Sequence, residues 1–266
     1  MYAQLPRYDT RIPARRTLDR DHAHLATLLR PGLSVLDVGC ANGALTAGIA
    51  EAVGPTGMVV GIDRNPERLE AARSEHRAFP NLRFESGDAM TLPYRAQFDI
   101  VTAARTLQWI ADPALALTHM IEAAKPNGLI VALDFNHVRT KWLPDPPPEF
   151  ARYFRAFLDW REANHLDNQI GDHLPALFRS AGLLDIESHV QDEIVERGDT
   201  EFLERASLWS DVMDNSAPVV TQAFLTQAQL KAAAQSYAAW IRTDLQKQTL
   251  ELRAVTGRVP YSSRIS

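Results

Sequence analysis

The clearest capacity for chemistry lies in one segment, Val35-Leu36-Asp37-Val38-Gly39-Cys40-Ala41-Asn42-Gly43-Ala44-Leu45. It reads as a buried apolar strand, a loop of small residues and a helix start. Small residues let a ligand approach the backbone, and a helix N-terminus offers unbonded N–H donors. Alone, the loop also describes an ordinary strand-to-helix turn. Its spacing departs from G-x-G-x-x-G, with Ala41 at the third position and Ala44 at the sixth. Other groups join it. Asp63 closes a second apolar run, where a carboxylate can accept from both hydroxyls of a ribose. Asn65, not Asp63, is placed to cap the helix that Pro66 begins. Asp88 follows a third run in Gly87-Asp88-Ala89, and Arg105, Leu107 and Trp109 follow a fourth. Singly, these are a turn aspartate and a packing tryptophan. Together they fall at the carboxyl ends of successive strands, where open α/β sheets bind ligands.

The elements that position them follow from punctuation and periodicity. A helix over 18–29 stops at Pro31-Gly32, and strands are expected at 34–38, 58–62, 82–85, 98–102 and 129–135. Helices over 42–52, from Asn65 to about His76, and from Asp112-Pro113 to before Pro126 separate them. Such alternation specifies a parallel sheet with helices on both faces. After Phe135 the rhythm breaks. Residues 141–148 carry four prolines and exclude helix or central strand. Helices follow at 149–164 and at 172–181, the second ended by Gly182. A long strand is expected at 184–195, a helical stretch at 200–245 with a capping box at Thr226 and Gln229, and a closing strand at 249–255 stopped by Gly257. One domain over 1–266 results, with a binding core at 31–136 and helical insertions at 137–170 and 197–246 forming a substrate cap.

Composition bounds the function. The chain has 266 residues and a net charge of −5, and no basic stripe suggests nucleic acid as the main partner. Cys40 is the single cysteine, so no internal disulfide can form. No apolar run is long enough to span a membrane, and the polar, proline-broken 1–16 segment is unlike a signal peptide. A cytoplasmic protein is expected, with homodimerisation left open. The eight histidines show no metal-ligand spacing with carboxylates or cysteine, so no metal site is expected.

The combined motifs resemble the class I S-adenosylmethionine-dependent methyltransferases, over about residues 30 to 135. The glycine loop is similar to their first motif and Gly61-Ile62-Asp63 to the second. Gly87-Asp88-Ala89-Met90-Thr91-Leu92-Pro93 is similar to the third. Phe98-Asp99-Ile100-Val101 through Leu107-Gln108-Trp109-Ile110-Ala111-Asp112-Pro113 resembles the fourth, and Lys125-Pro126-Asn127-Gly128-Leu129 the turn before strand five. In style the chain is similar to ubiquinone/menaquinone-biosynthesis methyltransferases. The resemblance implies a Rossmann-like, doubly wound, mostly parallel sheet with an antiparallel last strand. It implies S-adenosylmethionine as cofactor and S-adenosylhomocysteine as product. Gly39, Cys40, Ala41 and Gly43 would line the methionine part, with Asp37 orienting the loop. Asp63 would hold the ribose, and Asp88 with Ala89 and Met90 the adenine; Arg64 would also bind the cofactor. Arg105 and Leu107 would flank the sulfonium. Apart from the resemblance, the five arginines of the first 20 residues read as a solvated face or, through Arg16, Arg7 or Arg15, as a clamp on the cofactor carboxylate or an anionic substrate.

Ala41 stands where that family usually has glycine, which is tolerable if its φ stays negative. Asn127 replaces another glycine and accepts αL geometry. The absence of Asn-Pro-Pro-Tyr after strand four argues against the base-amino and glutamine N-methyltransferases. Methyl transfer needs positioning and exclusion of water more than covalent help. Asp134, His137 and His165 are the nearest candidates for a general base, with His137 preferred. Trp142, Trp160, Trp209, Trp240, Tyr153, Phe154 and Phe157 would wall an apolar pocket or pack the insertions. The expected activity is methylation of an N, O or C nucleophile on a small, partly apolar molecule. The rivals are a cofactor-binding protein without turnover and a dinucleotide-dependent oxidoreductase.

Overall fold

The computed structural model describes residues 16–261. Its centre is an eight-stranded sheet: β1 (Ser34–Val38), β2 (Met58–Asp63), β3 (Leu82–Ser86), β4 (Phe98–Ala104), β5 (Ala124–Leu143), β6 (Leu184–Val190), β7 (Glu193–Glu196) and β8 (Lys247–Arg258). The order is β3-β2-β1-β4-β5-β8-β6, with β7 also on β8. The first five are parallel, and β8 runs antiparallel between β5 and β6. This is the fold the motifs implied. Apolar β1 and β2 are buried along almost their whole length because helices cover both faces.

Helices α1 (Leu18–Asp21), α2 (Ala23–Leu28), α3 (Ala44–Val53), α4 (Pro66–Glu75) and α5 (Pro113–Ala123) belong to this half. Asn65 caps α4, accepting from the amides of Glu67 and Arg68, and Asp112 caps α5 through Leu115. Register aligns the strand ends, pairing Val38 with Ile62 and Asp63 with Ser86. The loops that follow β1, β2, β3 and β4 therefore open along one edge.

Beyond β5 come α6 (Pro148–Ala163), α7 (Ile170–Ser180), α8 (Phe202–Ala206), α9 (Leu208–Asp214), α10 (Ala217–Thr221) and α11 (Gln227–Thr243). Phe150, Tyr153, Phe157 and Trp160 share one buried face of α6 at helical spacing, facing Tyr237 of α11. With Trp209 and the sheet residues Phe135, Leu250 and Leu252 they form one apolar cluster. Burying each such aromatic contributes on the order of 2–3 kcal/mol, which fastens the helices onto the sheet.

Four boundaries differ from the sequence reading. β5 continues to Leu143 instead of ending at Phe135, so the 137–170 segment begins as strand. Past a bulge between Asn136 and Lys141 it pairs only with β8, which tolerates the proline run that follows. The expected 184–195 strand is two strands, β6 and β7, in one register against β8. At the break the Asp192 carboxylate accepts from the Leu252 amide and from Arg253. Gly257 does not stop β8. It pairs with Ile130 inside the strand, and a Cβ there would lie 2.9 Å from the Phe178 ring. The 18–29 helix breaks at His22, whose ring Nε2 bonds the Thr102 hydroxyl at 3.1 Å beneath the sheet.

Candidate functional site

The aligned strand ends open into a cleft of about 1230 Å³, mouth included. At its floor the β1 loop is held by carboxylates. Asp37 is buried and takes a hydrogen bond from the Thr46 hydroxyl at 2.7 Å, tying the loop to α3. Burial, opposed by Thr46 and assisted by Asp63, pushes its carboxyl up to about 6. Gly39 packs so closely on β4's loop that a Cβ would sit 2.3 Å from the Thr106 hydroxyl. Ala41 has φ +53°, against the expectation of a negative φ. The cause is Asp63, whose Oδ2 accepts the Ala41 amide at 3.0 Å and fixes the loop in the left-handed region. Its other oxygen accepts the Asn65 amide at 2.8 Å, and Arg68 lies 3.8 Å from Oδ2. A carboxylate has about four acceptor positions, so Asp63 keeps capacity for a ligand while bracing two loops.

The sequence-predicted residues divide between cleft and core. Gly39, Ala41, Asp63, Arg64, Asp88, Ala89, Arg105, His137 and Arg16 line the cleft. Asp37, Cys40, Gly43, Met90 and Leu107 do not. Cys40 packs against Leu69 and Phe84, and burial pushes its thiol up. Gly43, at φ +82°, lets α3 begin against the Phe84 ring, 2.4 Å from where a Cβ would stand. Leu107 and Met90 pack into the apolar core beside β4. Arg7 and Arg15 lie outside the described residues. His165 is exposed and away from the cleft.

The far half of the cleft is aromatic: Trp109, Phe135, Phe157 and Trp209, with Leu208, Val212 and Leu250. His137 sits among them, 5.1 Å from the Phe135 ring and 6.4 Å from Trp209, centroid to centroid. Its Nε2 lies 2.7 Å from Gln108 Oε1. Gln108 donates its amide nitrogen to the Arg105 carbonyl, so its oxygen faces the histidine, and Nε2 carries the proton. Burial first, then the Arg161 charge, hold His137 well below its ordinary range, so the ring is neutral. Asp134 lies behind Gln108 and accepts its backbone amide at 3.2 Å; burial pushes this carboxyl up to about 7. Arg161 stacks over Trp109 at 4.8 Å and donates to the Gln108 carbonyl.

Gln108, Thr106, Arg161 and Glu193 were not singled out from the sequence as site residues. Gln108 stands inside a quoted motif and could have been found there. Glu193 binds Arg105 from 88 positions away and leaves no local signal. Among the described residues no group of histidine, cysteine and carboxylate side chains could hold a metal ion, and no helix is long and apolar enough to cross a membrane.

Residues 29–182, more than half of the chain, match the family described as Methyltransferase domain. The chain belongs to this family. It is a class I S-adenosylmethionine-dependent methyltransferase, and S-adenosylmethionine is its cofactor. A demethylmenaquinone methyltransferase of Staphylococcus aureus (strain JH9) is 29% identical over 170 residues, covering 59% of this chain and 70% of that one. A phosphoethanolamine N-methyltransferase 2 from Haemonchus contortus, solved with phosphomonomethylethanolamine and S-adenosylhomocysteine, superposes with a TM-score of 0.58 at 16% identity. It covers 91% of this chain and 52% of its own. A SAM-dependent methyltransferase from Aquifex aeolicus gives 0.54 at 16% identity, covering 95% of this chain and 100% of its own. These two show the fold. Membership sets aside the oxidoreductase reading. The residues present also fit the cofactor: a glycine loop open to close approach, and ligand-facing carboxylates, Asp63 and Asp88, at two neighbouring strand ends.

Proposed function

We infer that the enzyme methylates a nucleophile on a small, partly apolar molecule. The observation that carries this is the continuity of one cleft, from the carboxylate-braced loops to the aromatic wall under α6 and α9. Its lining runs without a break from Asp63 and Asp88 to Phe157 and Trp209, so cofactor and acceptor can share it end to end. The Staphylococcus demethylmenaquinone methyltransferase and the Haemonchus phosphoethanolamine N-methyltransferase, both named for small-molecule acceptors, support the same reading.

Bound S-adenosylmethionine supplies a methyl group activated by its sulfonium. In the proposed arrangement Gly39, Ala41 and Arg16 hold its methionine end, Asp63 and Arg64 its ribose, and Asp88 and Ala89 its adenine. The aromatic wall excludes water and holds the acceptor flat. His137, with Nε2–H committed to Gln108, keeps Nδ1 as an acceptor. Held neutral by burial and Arg161, it does not store a proton.

Calorimetry with S-adenosylhomocysteine tests the binding half, with NADH as control. Micromolar binding of the first alone supports this site assignment, and equal or absent binding overturns it. Methyl transfer from S-adenosylmethionine to a panel of small apolar acceptors tests the second half. Cofactor binding without any product would overturn the substrate reading while leaving the site intact.

A further inference from the structure

One side chain at the cleft is incompletely satisfied. Arg105, just after β4 at φ +55°, lines the cleft with its side chain 2% exposed. Its Nε donates to Glu193 Oε1 at 2.9 Å and its Nη2 binds the same oxygen. Its Nη1 is enclosed and has no hydrogen-bond partner. An enclosed donor left unbonded is costly, more so on a charged group, and calls for an acceptor. Glu193 neutralises one charge, but three guanidinium groups draw its carboxyl down, those of Arg105, Arg16 and Arg205, and Arg16 lines the same cleft. One face of Arg105 lies over the Phe135 ring at 5.7 Å. Phe135 in turn begins the aromatic wall that runs through His137 and Phe157 to Trp209.

Building on the substrate reading above, we propose that the acceptor is a flat, apolar carboxylic acid whose carboxylate seats on Arg105 Nη1 and is methylated there to an ester. A lone pair of one carboxylate oxygen forms the new O–C bond as the S–C bond breaks. The electron pair stays on sulfur, so the sulfonium becomes a neutral thioether and the carboxylate a neutral ester. No proton moves, in keeping with a wall whose one imidazole is held neutral with its Nε2–H already committed. The ester loses the charge that Arg105 recognises, which favours product release.

The test uses the full chain saturated with S-adenosylhomocysteine, titrated by calorimetry with 2-naphthoate and with neutral 2-naphthamide. Naphthoate is expected to bind about tenfold tighter, the worth of one charge-assisted hydrogen bond. The double variant Arg105→Gln/Glu193→Gln removes both members of the ion pair, so no bare carboxylate is left buried. It is expected to erase that preference while keeping affinity for S-adenosylhomocysteine. Should it lose its cooperative melt, Arg105→Lys keeps a cation on Glu193, removes Nη1 and must show the same selective loss. Equal binding of the two probes, or binding of neither, overturns the proposal. So does a variant that loses S-adenosylhomocysteine in parallel, since Arg105 would then serve the cofactor. With methyl-labelled S-adenosylmethionine and 2-naphthoate, cinnamate or decanoate, the product label must be released by mild base as methanol. Base-stable label, or no product from any of them, refutes esterification. Failure of the parent enzyme to bind S-adenosylhomocysteine at all would instead strike the site assignment under Proposed function.

Discussion

Asp63→Asn separates bracing from binding within one side chain. The carboxylate accepts two backbone amides, Ala41 on one oxygen and Asn65 on the other. An asparagine keeps the shape but has one oxygen, so in either orientation one amide N–H faces an NH₂ group. Losing a charge-assisted bond costs about 1.5–3 kcal/mol. For a chain of 266 residues that lowers Tm by about 3–12 °C. The ribose contact weakens by a similar amount, so affinity for S-adenosylhomocysteine falls about 10–100-fold. Thermal melts of the ligand-free variant read the first loss, and calorimetry at a temperature well below the melt reads the second. If the melt shifts and the affinity does not, Asp63 is only a brace. If neither moves, the loop is not held as described and the reasoning fails.

Asp134→Asn probes a buried charge. Its carboxyl is raised to about 7 when folded against 3.8 when free, so between those values the native state holds the extra proton and stability falls as pH rises. The variant should therefore gain Tm over the parent at pH 8 relative to pH 5, and an equal difference at both pH values would refute this. Gly43→Ala must enter the left-handed region and displace the Phe84 ring, costing about 2–4 kcal/mol by strain and overpacking. An unchanged denaturant midpoint would contradict it. Ala41→Gly removes left-handed strain at φ +53° and should be neutral to about 1 kcal/mol stabilising, whereas a clear loss of stability by chemical denaturation would mean that the methyl packs usefully. Trp209→Phe keeps a ring in the wall and should retain S-adenosylhomocysteine binding while altering turnover of bulky acceptors; loss of cofactor binding would place Trp209 elsewhere.

What could be read from the sequence was what is contiguous. The strand-loop-helix at Val35–Leu45, the cap at Asn65 and the carboxylates at the ends of β2 and β3 each announce themselves within a dozen residues, and the parallel sheet follows from their alternation. The backbone sign at Ala41 could not be read, because it is set by a carboxylate on the next strand. The Arg105–Glu193 pair, the neutral state of His137 and the break of the first helix at His22 likewise depend on partners brought together only by folding. The extension of β5 escaped notice because the prolines after Leu143 mark where a strand stops, not how far it reaches before them.

Strand β8 is synthesised after every strand it touches, yet it fills the gap between β5 and the β6–β7 edge. Until it arrives, the β5 edge lies open, β6 and β7 have no strand partner and the cluster beneath α6 and α11 lacks Leu250, Leu252 and Ala254. Chain growth therefore cannot build this enzyme piecemeal. A polypeptide interrupted before 247 is not a smaller methyltransferase but a sheet with a missing plank, exposed to pairing with its neighbours. Because Leu250 also lines the cleft, the pocket is completed in the same event that closes the sheet.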